Sequence, residues 1–336
     1  MPKMRALIVA KAGAPFQLVE RDIPQPGPGE VRVRVEACGM CHIDVFVKSG
    51  HFPGLTLPRI PGHEIAGRVD AVGSGVTQWK AGQRVGIGWY GGHCGQCDGC
   101  RRGDFVNCAN GKITGISFDG GYAEYTVAPA QALARIPDAL DAAEAGPLLC
   151  AGITTFNALR NSGARPGDTV AVQGIGGLGH LAIQYANKLG FRTVALSSGA
   201  DKEALARELG AHDYVDTSKQ TAAEGLQKLG GAHLVLATAP HAAAIASTVD
   251  GLTQRGKLLI VAAPVEPITV SAFALLSGKT VAGWPSGSAI DSEATMEFSA
   301  RTGVRPRIER FPFEQAEAAF TKMMDNKVRF RAVLMP

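Results

Sequence analysis

Cys94, Cys97, Cys100 and Cys108 form the pattern C-x-x-C-x-x-C-x7-C inside a segment, 91–108, whose other residues are mostly Gly, Asp, Gln and Arg. Such a segment has almost no apolar area to bury, so something other than a hydrophobic core must hold it. Four thiolates at this spacing can enclose one zinc ion tetrahedrally, and a site filled by four protein ligands leaves no position for a substrate. Its contribution is then to folding. An iron–sulfur cluster also takes four cysteines, and free surface thiols are the bland alternative; ligand set and spacing favour zinc. In a chain of 336 residues with seven cysteines, spacing of this kind points to metal rather than to a disulfide framework.

At this length two domains are favoured over one core. Hydrophobic residues make up 46% and charged residues 19% of the chain, the balance of a globular protein rather than a disordered one. A net charge of +4 with scattered Lys and Arg gives no basic stripe, so no nucleic acid or membrane partner is expected. No apolar run reaches the roughly 18 residues needed to span a bilayer, and residues 1–13 read as a strand without a cleavage site. A cytoplasmic location is the expectation.

The first third of the chain is a succession of short β-like runs, at 5–9, 31–36 and 65–69, punctuated by Gly and Pro. From about Ala151 the pattern changes to apolar strands alternating with amphipathic helices: a strand at 169–173, a helix at 177–189, a strand at 193–197, a helix at 202–209 and a strand at 234–237. That alternation predicts a doubly wound parallel sheet. After Val281 it stops, and a helix near 313–324 and a strand near 329–334 read as a return to the first domain. The expected boundaries are therefore 1–150, 151–285 and 286–336.

Val170-Ala171-Val172-Gln173 runs into Gly174-Ile175-Gly176-Gly177-Leu178-Gly179, and a helical pattern follows. Strand, glycine turn and helix in this order form a dinucleotide-binding fingerprint: Gly174 permits the tight turn, Gly176 lets the backbone approach a pyrophosphate, and Gly179 allows close helix–strand packing. Gly177 and Leu178 complete the loop. In such folds the next strand ends on an acid that binds the ribose 2′-hydroxyl when NAD is the cofactor. Here Ser197 stands at that place. The carboxylate that would repel a 2′-phosphate is gone, Ser198 can donate a further hydrogen bond and Lys202 can add positive charge, so NADP(H) is the preferred cofactor, with NAD(H) left open by Asp201 nearby.

Cys41, His63 and Cys150 are far apart in sequence, and singly each reads as a packed structural residue as readily as a ligand. Their settings carry more. Asp44 and Glu64 stand close by as partners for a metal-binding group, and a bond from Asp44 to His63 would fix the imidazole tautomer. Gly62-His63-Glu64, the four-cysteine lobe, Cys150-Ala151-Gly152-Ile153-Thr154 and the glycine fingerprint occur in the order found in zinc-containing medium-chain alcohol dehydrogenases. Nearly end to end, the chain resembles that family, and within it the microbial alcohol dehydrogenases and the cinnamyl-alcohol-type reductases.

The resemblance implies a GroES-like, mostly-β catalytic domain and a Rossmann domain, and two zinc ions per chain. Cys41, His63 and Cys150 would hold the catalytic zinc, with Glu64 able to approach it, while the four-cysteine lobe holds the structural one. His42 would approach the cofactor pyrophosphate, and Thr154 would lie by the nicotinamide. It also implies a homodimer or homotetramer acting on a small alcohol or aldehyde. Zinc acidifies a bound alcohol so that hydride can leave for the nicotinamide.

One departure stands out. The family begins its proton relay with Ser or Thr two residues after the first zinc cysteine and often continues it with a His three residues farther on, but those positions hold Ile43 and Phe46. His51 is a possible substitute donor, although a solvated loop residue is an equal reading of it. The loss is compatible with a slower alcohol or aldehyde enzyme acting on a primary, aromatic or allylic substrate, or with an iminium or conjugated-alkene reductase. A non-catalytic dinucleotide-binding protein is the alternative of another class, and the intact Cys41, His63 and Cys150 set argues against it. Trp89, Phe118 and Trp284 are candidates for an apolar substrate pocket, although aromatic residues are more often core.

Overall fold

The computed structural model describes residues 2–336. It separates into two compact units, one running to Cys150 and resuming at Gly287–Pro336, the other spanning Ala151–Ser286. The first contains β1 (Lys3–Ile8), β2 (Gln17–Asp22), β3 (Glu30–Gly39), β4 (Ile65–Val72), β5 (Arg84–Ile87), β6 (Tyr125–Pro129) and β7 (Leu133–Arg135). The second contains β8 (Thr169–Gln173), β9 (Arg192–Ser197), β10 (Asp213–Asp216), β11 (Ala232–Ala237), β12 (Leu252–Ile260) and β13 (Thr280–Gly283). The tail adds β14 (Ile308–Pro312) and β15 (Arg331–Met335) to the first unit.

In the first unit β3 is the hub. Its sequence alternates Val31, Val33 and Val35, all buried, with Arg32, Arg34 and Glu36, the period-2 pattern of a strand with one face on a core. It pairs antiparallel with β4 and β6, and at its C-terminal end with β15, where Leu334 lies opposite Cys38 and Val333 opposite Gly39. The resulting mixed sheet has the order β14-β15-β3-β4-β5-β7, while β1 and β2 form a separate antiparallel pair. This is the GroES-like, mostly-β architecture.

The second unit is the doubly wound fold that the alternating pattern predicts. Its six strands are all parallel, in the order β10-β9-β8-β11-β12-β13. All five residues of β8 are buried, as are all of β11 except His233, because helices cover both faces of such a sheet. The order reverses between β8 and β11. The carboxyl ends of these strands therefore border the crevice where an open α/β sheet takes its ligand.

Among the elements that the sequence pattern leaves unassigned, two bear on the sites. The helix Ala289–Thr302 is the longest in the chain, yet its residues are mixed in polarity on every face, so hydrophobic periodicity gives no signal for it. Its start is marked instead by the Asp291 carboxylate, which accepts from the Ser288 backbone N–H at 2.9 Å. Within the cysteine-rich lobe, one helical turn spans Asp98–Arg101.

The tail is joined to the first unit through an aromatic cluster. Phe16 meets Tyr122 edge-on at 5.8 Å and Phe320, on the helix Ala316–Met324, at 5.5 Å. The Lys48 ammonium lies 4.9 Å and 4.5 Å from the Phe16 and Phe320 ring centres and is ion-paired with Glu317. Phe320→Ala would open a cavity here and is expected to lower the unfolding free energy by about 3–5 kcal/mol. Denaturant titration checks this, and a loss below about 1 kcal/mol would show that the Phe320 ring contributes little to holding the tail.

Candidate functional site

The end of β3, the loop after it and the start of β4 place most of a buried polar cluster. Cys41 follows β3 and precedes the helix Asp44–Ser49, and its backbone N–H donates to the Asp44 carboxylate at 2.9 Å. The Tyr122 hydroxyl donates to the same oxygen at 2.7 Å. The other Asp44 oxygen faces His63 Nδ1 at 3.5 Å, longer than a tight hydrogen bond. Asp44, His63 and Glu64 are at most 2% exposed.

Cys150 arrives from another direction, on a π-helical turn, Leu148–Gly152, an irregularity often found at functional sites. Its Sγ lies 3.8 Å from Cys41 Sγ. A disulfide would bring the sulfurs to about 2.05 Å. Two thiolates on one tetrahedral zinc, each about 2.3 Å from the metal, stand about 3.8 Å apart. Ligand atoms of Cys41, His63, Glu64 and Cys150 all lie within 4.8 Å of one another. His63 Nε2 and Glu64 Oε2 are buried and have no hydrogen-bond partner among the described residues. A cation bound among these atoms would satisfy both, and the donor set suits zinc.

Protonation in this cluster follows the same geometry. Donation from the Cys150 thiol holds Cys41 well below the ordinary thiol range, and His63 adds to this, while Cys150 is pushed well above that range. Burial opposes charge on His63, but Asp44 and Cys41 outweigh it and raise the imidazole to about 10. Burial pushes the Glu64 carboxyl up to about 8 despite the attraction of Arg331.

Arg331, on β15 and 4% exposed, is the residue that sequence reasoning missed. Its guanidinium pairs with Glu64 and donates to the Met40 carbonyl at 2.9 Å, bracing the carboxylate and the residue before Cys41. A charged residue opening an otherwise apolar strand, Arg331-Ala332-Val333-Leu334-Met335, is the signal that could have pointed to it. Gly39 completes the arrangement, since a Cβ there would lie 1.9 Å from Glu64 Oε2.

Around the cluster, Trp89 meets His63 edge-on at 5.1 Å and Phe52 at 5.7 Å. Phe118 instead packs against the core, and Trp284 belongs to the second unit, where its indole N–H donates to the Ser286 carbonyl at 3.0 Å. Ile43 is half-buried, Phe46 is 39% exposed, and His42 and His51 are exposed.

In the lobe, the Sγ–Sγ separations are 3.5 Å for Cys97–Cys100, 3.8 Å for Cys97–Cys108 and 3.6 Å for Cys94–Cys108, again close to a tetrahedral edge and far from a disulfide. The Gln96 backbone N–H, the Asn110 side chain and the Cys97 backbone N–H lower Cys94 to about 5, whereas burial and the neighbouring sulfurs push Cys100 up to about 12. These four sulfurs also lie within 4.8 Å of one another.

The second unit presents the glycine loop between β8 and the helix Gly179–Lys188. Gly174 has φ +91°, and a Cβ at Gly179 would lie 1.9 Å from the Gly174 carbonyl oxygen, so neither position admits another residue without rearrangement. A Cβ at Gly176 would meet nothing within 4 Å, which leaves the backbone open to a phosphate. Gly177 and Leu178 lead into the helix, whose N-terminal N–H groups suit an anion. Ser197 ends β9 and Ser198 is exposed beyond it, while Lys202 immediately precedes the helix Glu203–Glu208. Thr154 donates to the Ser286 hydroxyl at 3.0 Å.

Residues 27–138 match the alcohol dehydrogenase GroES-like domain, and residues 177–301 match the zinc-binding dehydrogenase domain. The chain is 48% identical over 328 residues to alcohol dehydrogenase patD of Penicillium expansum, covering 97% of this chain and 96% of that protein. It is 40% identical over 334 residues to an alcohol dehydrogenase of Geobacillus stearothermophilus, covering 98% and 99%. Among solved structures, a cinnamyl alcohol dehydrogenase of Sorghum bicolor superposes with a TM-score of 0.89 at 30% identity, covering 99% of this chain and 98% of that one. Similarity across both units and nearly the whole length, joined to the two cysteine-rich clusters and the glycine loop, shows that the chain belongs to the zinc-binding medium-chain alcohol dehydrogenase family of oxidoreductases.

Proposed function

We propose that the protein is a zinc-dependent alcohol dehydrogenase or aldehyde reductase that exchanges hydride between NADP(H) and primary, aromatic or allylic alcohols and aldehydes. The observation that carries this reading is the convergence of Cys41, His63 and Cys150, with the two half-buried sulfurs 3.8 Å apart and the buried His63 Nε2 lacking a partner among the described residues. Zinc held there would supply Lewis acidity to the substrate oxygen, and the nicotinamide would accept or donate the hydride. A second zinc in the four-cysteine lobe would serve folding alone.

The chain's own residues have distinct parts in this scheme. Cys41, His63 and Cys150 would hold the zinc, Glu64 would be the fourth group that gives way to substrate, and Asp44 would fix the His63 ring. Arg331 draws one Glu64 oxygen away and leaves the other aimed among the ligand atoms. Trp89 and Phe52 pack edge-on to each other beside His63, and their apolar surface would suit an aromatic or allylic substrate. Gly174, Gly176, Gly177, Leu178 and Gly179 would cradle the pyrophosphate, with Thr154 and His42 at other parts of the cofactor. Ser197, Ser198 and Lys202 would receive the 2′-phosphate. Ile43 and Phe46 carry no exchangeable proton, which leaves water and the exposed His51 as proton carriers.

The protein is further read as a cytoplasmic homodimer or homotetramer. Support for association comes from the second unit, where β13 is an edge strand and Val265, Phe273 and Leu276 are 90%, 83% and 78% exposed. No helix among the described residues is long and apolar enough to cross a membrane.

Steady-state oxidation of NADPH and NADH with cinnamaldehyde, benzaldehyde and short aldehydes tests the reading. NADPH with an aromatic aldehyde should be the faster pair, activity should vanish on chelation, and zinc should restore it. Turnover retained without zinc would refute the proposal, and a saturated aldehyde formed from cinnamaldehyde would favour the conjugated-alkene reductase suggested by Ile43. Ile43→Ser should raise kcat about tenfold or more if a missing relay limits turnover. An unchanged kcat would mean that the proton travels without that position.

A further inference from the structure

The turn after β9 is held from the neighbouring strand. Tyr214 and Asp216 are two apart on β10, so their side chains leave the same face, and Asp216 lies opposite Ser197 in the parallel register. Both reach one residue. The Gly199 backbone N–H donates to Asp216 Oδ1 at 2.8 Å, and the Tyr214 hydroxyl donates to the Gly199 carbonyl. Gly199 has φ +82°, a left-handed conformation that other residues adopt only with strain.

The acid that an NAD-binding fold would place at the end of β9 is thus absent there, and an acid one strand away is directed into the turn. Asp216 also accepts from the Ser218 backbone N–H at 2.9 Å and the Ser218 hydroxyl at 2.6 Å, and its second oxygen has Lys219 Nζ at 3.6 Å. Its side chain is 12% exposed, whereas Ser198, Ala200 and Asp201 are exposed. Little burial holds the turn, so these braces fix its shape. A binding loop fixed in advance loses less conformational freedom when ligand arrives.

We infer that Tyr214 and Asp216 are positioning residues for cofactor choice: by clamping both backbone groups of Gly199, they hold Ser197, Ser198 and Lys202 ready for an adenosine 2′-phosphate. This rests on the NADP(H) reading above. The rival account treats Asp216 only as a negative charge near the cofactor, and it predicts that removing the carboxylate tightens 2′-phosphate binding.

Calorimetric binding of 2′,5′-ADP and of 5′-AMP to the intact protein separates these accounts, alongside kcat and KM for NADPH and NADH. The native protein should bind 2′,5′-ADP more tightly than 5′-AMP. Tyr214→Phe and Asp216→Ala should each weaken 2′,5′-ADP about tenfold, the scale of a lost hydrogen bond, while moving 5′-AMP by less than about twofold. Asp216→Asn, which keeps an acceptor for Gly199, should recover most of the loss, and the kinetic effect should fall on KM for NADPH rather than on kcat. Equal weakening of both nucleotides, no weakening, or tighter 2′,5′-ADP binding by Asp216→Ala would overturn the inference. Should Asp216→Ala fail to fold, Tyr214→Phe, which removes a single hydroxyl, decides the matter. A native protein indifferent to the 2′-phosphate would sink the NADP(H) reading and this inference together, whereas native preference with unaffected variants would sink this inference alone.

Discussion

Burying an imidazole, two carboxylates and a guanidinium together removes them from water at a cost of several kcal/mol per charge, which only close pairing can offset. Asp44, His63, Glu64 and Arg331 are all at most 4% exposed, and the first unit is arranged to pair them. Tyr122 and the Cys41 N–H satisfy one Asp44 oxygen, Arg331 satisfies one Glu64 oxygen, and Asp44 faces His63. Protein groups leave His63 Nε2 and Glu64 Oε2 without partners, on the side where the sulfurs of Cys41 and Cys150 converge. A cation bound among these atoms would satisfy both, and the Glu64 carboxylate is seated so close to β3 that a Cβ at Gly39 would lie 1.9 Å from its Oε2.

The second unit meets a different requirement with backbone rather than side chains. Its glycine loop leaves N–H groups free at a helix start, and Gly174 and Gly179 permit the close approach of turn, strand and helix that exposes them. The neighbouring turn at Gly199 is braced by side chains from β10, so the two ends of a dinucleotide's adenosine half would meet preformed surfaces. One unit would thus supply ligands for a metal and the other N–H groups for an anion.

Features that are local in sequence could be read there. The strand, glycine turn and helix of 169–189 are contiguous, and the four cysteines of the lobe fall within one short segment, so spacing alone carries their meaning. The alternating pattern likewise predicts the parallel sheet. Features made by long-range contact were out of reach: Arg331 and Glu64 are 267 residues apart, Tyr122 and Asp44 are 78 apart, and no periodicity connects either pair. Between these extremes lie Cys41, His63 and Cys150, which become a set only through resemblance to a family and are brought together by the fold. The helix Ala289–Thr302 escaped because its polarity is mixed on every face, even though Ser288 and Asp291 mark its start.

The central claim is that two different metal sites are built into the first unit, one of four sulfurs and one of two sulfurs with an imidazole and an exchangeable fourth ligand. Zinc K-edge absorption of the purified protein tests it most directly. The account predicts two zinc ions per chain and an average shell of three sulfurs at about 2.3 Å and one nitrogen or oxygen at about 2.0–2.1 Å. One zinc with four sulfurs and no lighter ligand would contradict it, because Cys41, His63 and Cys150 would then be a cluster without its ion.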